Sequence, residues 1–173
     1  MSEFAVHWVF RLDADYDHDV RGHLPSGWNE EATFVDASGK PRLTIRANGT
    51  ARVLAGYAWD GCTPKVVACD VVLGTPDGAT HALTGKPKAY YASLLHDALY
   101  QFLDADLPMR RKDADRVFLE LLARDSFAPR GVYFAAVRLF GGLSRLFTRW
   151  KRGYGGARRL PVAAAPSSPT SAP

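Results

Sequence analysis

A histidine, an aspartate and a tyrosine interrupt the apolar run Leu94-Leu95-His96-Asp97-Ala98-Leu99-Tyr100. Ionisable groups are costly to bury unless they are paired, so their presence in a helix-periodic stretch calls for partners. On a helix, His96 and Tyr100 stand one turn apart on the same face, and Asp97 projects about 100° away around the axis. A second interruption follows at Asp113-Ala114-Asp115-Arg116-Val117-Phe118. There Asp115 borders an apolar stripe, with Phe118 and Leu122 one and two turns on. A histidine held through one ring nitrogen by a carboxylate and open at the other is equipped to act as a general base. Asp115 is the candidate anchor for His96. The same residues also suit a plainer role, a core histidine neutralised by a hydrogen-bonded carboxylate that orders two helices, with Tyr100 packing beside it.

A second cluster is Tyr57-Ala58-Trp59-Asp60-Gly61-Cys62-Thr63-Pro64, an extended segment running into an Asp-Gly turn and stopping at a proline. As a tight turn, it would use Asp60 or Thr63 to satisfy backbone amides. As a binding element, its carbonyls and Asp60 would converge with Asp97 on a hard cation, calcium or magnesium, which oxygen ligands favour. Cys62 and Cys69 are too few for a disulfide framework and lack the paired spacing of a zinc site, so both read as structural thiols in a reducing compartment.

These residues must be positioned by elements that the rest of the 173-residue chain supplies, and its 47% hydrophobic content is enough for a real core. Phe4 to Leu12 reads as a strand and Tyr16 to His23 as a polar loop. Leu43–Ala47 and Thr50–Ala55 flank Asn48-Gly49, a dipeptide that supplies the positive φ angles of a tight hairpin. Asp70–Leu73 and Ala79–Leu83 around Thr75-Pro76-Asp77-Gly78 read as a second hairpin. After Lys86-Pro87 the period changes. Ala92, Leu95, Leu99 and Phe102 define one helix, and Ala114, Val117, Phe118, Leu121 and Leu122 define the next. A third begins near Gly131, carries Phe134, Val137, Phe140, Leu143, Phe147 and Trp150, and has Gly141-Gly142 as a site for a bend. Strands first and helices second is the order of an α+β fold, here N-terminal antiparallel β-hairpins followed by about three α-helices. The expected organisation is a single domain over residues 1–160 and a disordered Ala/Pro/Ser-rich tail over 161–173.

The net charge of +4 is unevenly spread. Beyond Asp125 lie Arg130, Arg138, Arg145, Arg149, Lys151, Arg152, Arg158 and Arg159, and no carboxylate. Between Gly131 and Trp150 this gives an amphipathic cationic helix, suited to an anionic membrane surface or to docking a protein partner. No nucleic-acid motif accompanies it, so nucleic acid is not the expected partner. The N-terminus shows no signal-peptide pattern, and Arg138 and Arg145 interrupt the longest apolar stretch. A cytoplasmic protein, with peripheral membrane association through the basic helix, is the expectation.

Four motifs occur in succession: Asp60-Gly61-x-Thr63-Pro64, His96-Asp97-x-x-Tyr100, Arg111-x-x-x-Asp115-x-x-Phe118 and Tyr133-x-x-x-Val137-Arg138-x-x-Gly141. Their order resembles that of the phage and bacterial domain of unknown function DUF1353, with residues 56–142 as the family-like core. The resemblance implies a phage or prophage protein whose activity is not defined by its family. More remotely, His-Asp-x-x-Tyr on one helix with Asp on the next is similar to phospholipase A2. That similarity implies His96 as the base, Asp97 as a calcium ligand, and Tyr100 with Asp115 as supports. Where secreted phospholipases flank the motif with cysteines, this chain has Leu94, Leu95 and Leu99. A phosphohydrolase of the HD type would need another upstream histidine, and His81 falls in an expected strand.

Two functional readings follow. The first is a non-enzymatic accessory protein in which His96, Asp115 and Tyr100 lock a helix pair. The alternative is a metal-assisted hydrolase of phospholipase A2 type, with His96 as general base, Asp115 and Tyr100 as its supports, and Asp97 and Asp60 on calcium or magnesium.

Overall fold

The computed structural model describes residues 10–62, 65–68, 71–74, 77–138 and 156–161. Its strands are β1 (Phe10–Arg11), β2 (Tyr16–Asp19), β3 (Ala32–Val35), β4 (Pro41–Ile45), β5 (Thr50–Val53), β6 (Ala58–Trp59), β7 (Lys65–Ala68), β8 (Val71–Gly74) and β9 (Arg158–Arg159). The helices are α1 (Tyr90–Gln101), α2 (Arg111–Arg124) and α3, helical over 130–138. This is the α+β arrangement expected from the sequence, with antiparallel sheets preceding the helices. The main sheet has the order β2-β5-β4-β3-β9, and β1-β6 and β7-β8 form two smaller pairs.

Alternation fixes which face of the main sheet is covered. Along β4, Leu43 and Ile45 are fully buried while Arg42 and Thr44, which alternate with them, are half-buried, the period-two pattern of a sheet with one packed face. Phe34, Ala51 and Val53 extend the apolar layer, and the helices close it: Phe102, at the end of α1, sets its ring 5.6 Å from that of Phe34. The α1 helix is buried on most of its circumference, including Leu94, Leu95, Ala98 and Leu99. Helix α2 buries the expected stripe of Ala114, Val117, Phe118, Leu121 and Leu122. At roughly 1.5–3 kcal/mol for each large aliphatic side chain removed from water, this shared layer is what fixes the two helices against the sheet.

The β4–β5 hairpin forms where expected, with Ile45 opposite Ala51. Its loop is wider than a two-residue turn. Arg46 donates to the Thr50 carbonyl and Gly49 to the Arg46 carbonyl, both at 2.9 Å, and Gly49 alone takes a positive φ, +82°. Asn48 stays out of the left-handed region and uses its side-chain oxygen to accept the Thr50 amide at 3.0 Å.

The second hairpin differs from expectation. Val71–Gly74 pairs with Lys65–Ala68, not with residues 79–83. Two β-branched runs separated by two residues can pair locally, whereas Ala79–Lys88 folds back on itself: His81 donates to the Lys86 carbonyl at 2.8 Å and Lys88 to that of Ala79 at 3.0 Å. Residues 16–19, read as loop, form edge strand β2, because Asp17 pairs with Arg52 across the sheet at 2.6 Å. The short β9 completes the opposite edge through Leu160, which donates to the Thr33 carbonyl at 2.8 Å.

Several expected features lie outside the described residues: the strand over 4–9, Thr63-Pro64, Cys69, the third helix beyond 138 with its Gly141-Gly142 bend, and the tail from 162. No described helix is long and apolar enough to cross a membrane.

Candidate functional site

Helices α1 and α2 are joined by residues 102–110 and bring the two polar interruptions together. His96 Nε2 lies 3.2 Å from Asp115 Oδ1, and the Tyr100 hydroxyl donates to the same oxygen. The ring of His96 is sandwiched between Tyr100 and Phe118, with centroid distances of 4.1 and 4.9 Å. Asp115 is fully buried and His96 nearly so, at 0% and 7% exposure. A carboxylate so placed needs several donors. Its other oxygen, Oδ2, accepts from Arg138 Nη1 of α3 at 3.1 Å.

A second arginine closes the network. Arg111 Nε donates to the Tyr100 hydroxyl at 3.1 Å, and its Nη2 donates to the carbonyls of Val137 and Arg138 at 3.2 and 2.8 Å. The i,i+4 spacing of Arg111 and Asp115 on α2 invites an ion pair, yet Asp115 takes its arginine from α3. Arg111 instead ties α1, through Tyr100, to the backbone of α3. Neither arginine was read from the sequence as part of the site, although both stand at fixed positions of the motifs quoted above.

The other ring nitrogen of His96, Nδ1, stands 4.0 Å from Asp97 Oδ1. Burial pulls the His96 pKa down, but the hydrogen bonds and charges of Asp115 and Asp97 outweigh it and leave it raised. For Asp115 burial pushes up, and donation from His96, Tyr100 and Arg138 brings the carboxyl below its ordinary value. Both directions favour the charged forms of the pair. Burial and the Asp115 charge also hold the Tyr100 phenol protonated well above its usual range.

Beside this pair is a small cavity of about 10 Å³, lined by Gly61, Cys62, Ser93, His96, Asp97 and residues of α2 and α3. Asp97 Oδ2 is buried without a hydrogen-bond partner among the described residues. The Asp60-Gly61-Cys62 turn reaches this wall because Trp59 Nε1 donates to Ser93 Oγ on α1 at 3.1 Å. Gly61 has φ +77°, and the Cys62 amide donates to Asp77 Oδ1 at 2.6 Å. Asp77, which the sequence places only in an expected hairpin turn, is therefore an acceptor for the 60–62 turn.

Of the residues proposed from the sequence, His96, Tyr100 and Asp115 converge, Asp97 borders the second ring nitrogen, and Asp60 is not part of the pocket lining. Among the described residues, no group of three or more His, Cys, Asp or Glu side chains is arranged to hold a metal ion. In comparisons with known proteins, no family model, no curated protein and no solved structure matches this chain.

Proposed function

We propose that the chain is a non-catalytic accessory module, of the phage and prophage type its motif order resembles, in which His96, Tyr100, Asp115, Arg111 and Arg138 clamp three helices. One observation carries this reading: both ring nitrogens of His96 face carboxylates, Asp115 at 3.2 Å and Asp97 at 4.0 Å. A general base needs an open lone pair. With Asp115 on Nε2 and Asp97 facing Nδ1, the ring is held between two carboxylates and is suited to fix the orientation of α1 against α2. The test compares wild type with His96→Ala in thermal denaturation and in hydrolysis of soluble esters and phospholipid vesicles, with and without calcium. The expected result is a markedly lower melting temperature for the variant and no hydrolysis by either protein. Hydrolysis by wild type, lost in a folded His96→Ala protein, would overturn the proposal.

A hydrolase is the second reading, and it draws on the gap between His96 Nδ1 and Asp97 together with the unpartnered Asp97 Oδ2 beside a water-sized pocket. In that reading a deprotonated His96 activates a water there, with Asp115 and Tyr100 steadying the ring. It requires the His96 ring to be neutral at working pH, which a ¹⁵N NMR titration of the imidazole reads directly.

A further inference from the structure

A groove of about 370 Å³ opens beside the β9 edge of the main sheet, with Pro25, Trp28, Glu30, Asp106, Pro108 and Arg159 in its lining. Local hydrogen bonds hold its walls. The Trp28 amide donates to the Pro25 carbonyl at 3.1 Å, and the indole Nε1 donates to the Arg46 carbonyl at 2.9 Å. Pro108 stands between the buried side chains of Leu107 and Met109 in the α1–α2 connection. Arg159 Nη2 donates to Glu30 Oε2 at 2.9 Å, and its guanidinium carbon lies 6.0 Å from the centre of the Trp28 ring. Two opposite charges of the lining therefore satisfy each other. An indole and two pyrrolidine rings in one groove form the kind of surface that takes a polyproline II segment.

The direction of β9 selects the occupant. Arg158 pairs with Val35 and Arg159 with Phe34, and Leu160 donates to the Thr33 carbonyl at 2.8 Å. Antiparallel pairing steps back along β3 as β9 advances, so the chain leaving Pro161 is aimed at residues 28–31, the wall of the groove. The sequence that follows, Val162 to Pro173, contains Pro166 and Pro169 and no charged residue. Their spacing of three is one turn of polyproline II, which sets both rings on one edge. At about 3.1 Å per residue in that conformation, Pro166 reaches about 15 Å beyond Pro161. That is ample, since the Arg159 side chain already spans from β9 to Glu30 and Trp28.

We propose that residues 162–173 occupy the Trp28 groove as a polyproline II strap, with Pro166 and Pro169 against Trp28, Pro25 and Pro108. Covalent attachment supplies an effective concentration of about a millimolar, so a contact too weak to hold a separate peptide suffices in cis. The fixed φ of proline lowers the cost of ordering the strap. A proline-rich segment of another protein has to displace it. The inference is independent of the role of His96.

NMR of the Trp28 indole and the Asn29 and Glu30 amides tests it, comparing the 173-residue chain with one ending at Pro161. The three resonances should move on truncation, and a peptide of residues 162–173 added at millimolar concentration should return them toward their original positions. The same peptide should bind the 173-residue chain about tenfold more weakly, because the attached copy competes. Pro166→Asp combined with Pro169→Asp in the 173-residue chain should give the spectrum of the truncated one. These substitutions lie outside the core, so the melting temperature checks that folding is intact. Unmoved resonances on truncation, no return with the peptide, equal peptide affinity for the two chains, or a wild-type spectrum for the aspartate variant would each overturn the proposal.

Discussion

His96 on α1 and Asp115 on α2 meet at 3.2 Å with side-chain exposures of only 9% and 0%. A buried pair of this kind contributes little net stability compared with a well-packed apolar pair, but removing one partner strands the other charge. Asp115→Ala should therefore cost about 3–5 kcal/mol in urea denaturation, because it frees His96, Tyr100 and Arg138 together. His96→Ala adds a cavity to the same loss. The double variant should cost clearly less than the sum of the two, since the pair is removed only once. Additive losses would show that the contact is not energetically coupled.

The pH dependence of stability follows from the same pair. His96 binds its proton more tightly folded than unfolded, so its contribution is full below the ordinary imidazole value of 6.5 and fades as pH rises through the folded value. Asp115, held below its ordinary 3.8, contributes above that value and loses its contribution as pH falls through the folded value. Half-exposed His18 works in the other sense: burial and then Arg124 lower its pKa, so its contribution is lost as pH falls. The difference in melting temperature between wild type and His96→Gln isolates the clamp. It should be largest between the two ordinary values and shrink on the alkaline side.

Much of this was legible in the sequence. The α1 and α2 stripes follow a 3.6-residue period, and polar residues inside such a stripe require partners, which is why His96, Tyr100 and Asp115 could be named together. The identity of the third donor was not legible, because Arg111 sits at the right spacing for Asp115 while Arg138 holds it. Local spacing cannot decide between two arginines when the choice depends on how a third helix docks. Two strands escape the sequence because their partners lie far along the chain, whereas β8 has a local partner, β7, on the other side from the one expected. Polar β2 is held by Arg52, and β9, two arginines long, gains its place from β3 and from Glu30, which pairs with Arg159 at 2.9 Å.

Tyr100→Phe removes one hydroxyl and two hydrogen bonds, one donated to Asp115 and one accepted from Arg111. The ring remains to pack on His96, so the loss isolates the polar contribution. It should amount to about 1–3 kcal/mol, read from chemical denaturation with an unchanged dependence on denaturant concentration.

The turn beneath the pocket is sensitive to a single methyl group. Gly61 has φ +77°, and a Cβ there would collide with the Asp77 carboxylate that accepts the Cys62 amide. Gly61→Ala should destabilise by more than about 1 kcal/mol, since alanine is disfavoured at this φ even in open space. Asp77→Ala in the same background relieves the collision but removes the acceptor. The double variant should therefore remain less stable than wild type, which a melting comparison of the four proteins checks.

Arg111→Lys separates the two duties of the clamp. Arg111 contacts three acceptors on two elements, the Tyr100 hydroxyl and the carbonyls of Val137 and Arg138, through a planar fork. An ammonium is a point charge on a flexible stem and cannot reproduce that fork. The direct contacts of Asp115 with His96 and Arg138 do not use this side chain, so the α1–α2 pair should persist. Hydrogen exchange should then accelerate in residues 130–138 and stay near wild-type rates around His96, and the imidazole should keep its raised pKa. Arg138→Gln should behave differently. It leaves Asp115 Oδ2 without its charged donor, so the carboxyl rises, the acid loss of stability begins at higher pH, and protection falls in α2 as well as α3. If the two variants gave the same exchange pattern, the arginines would be acting as one unit, and the division between a backbone tether and a charge partner would fail.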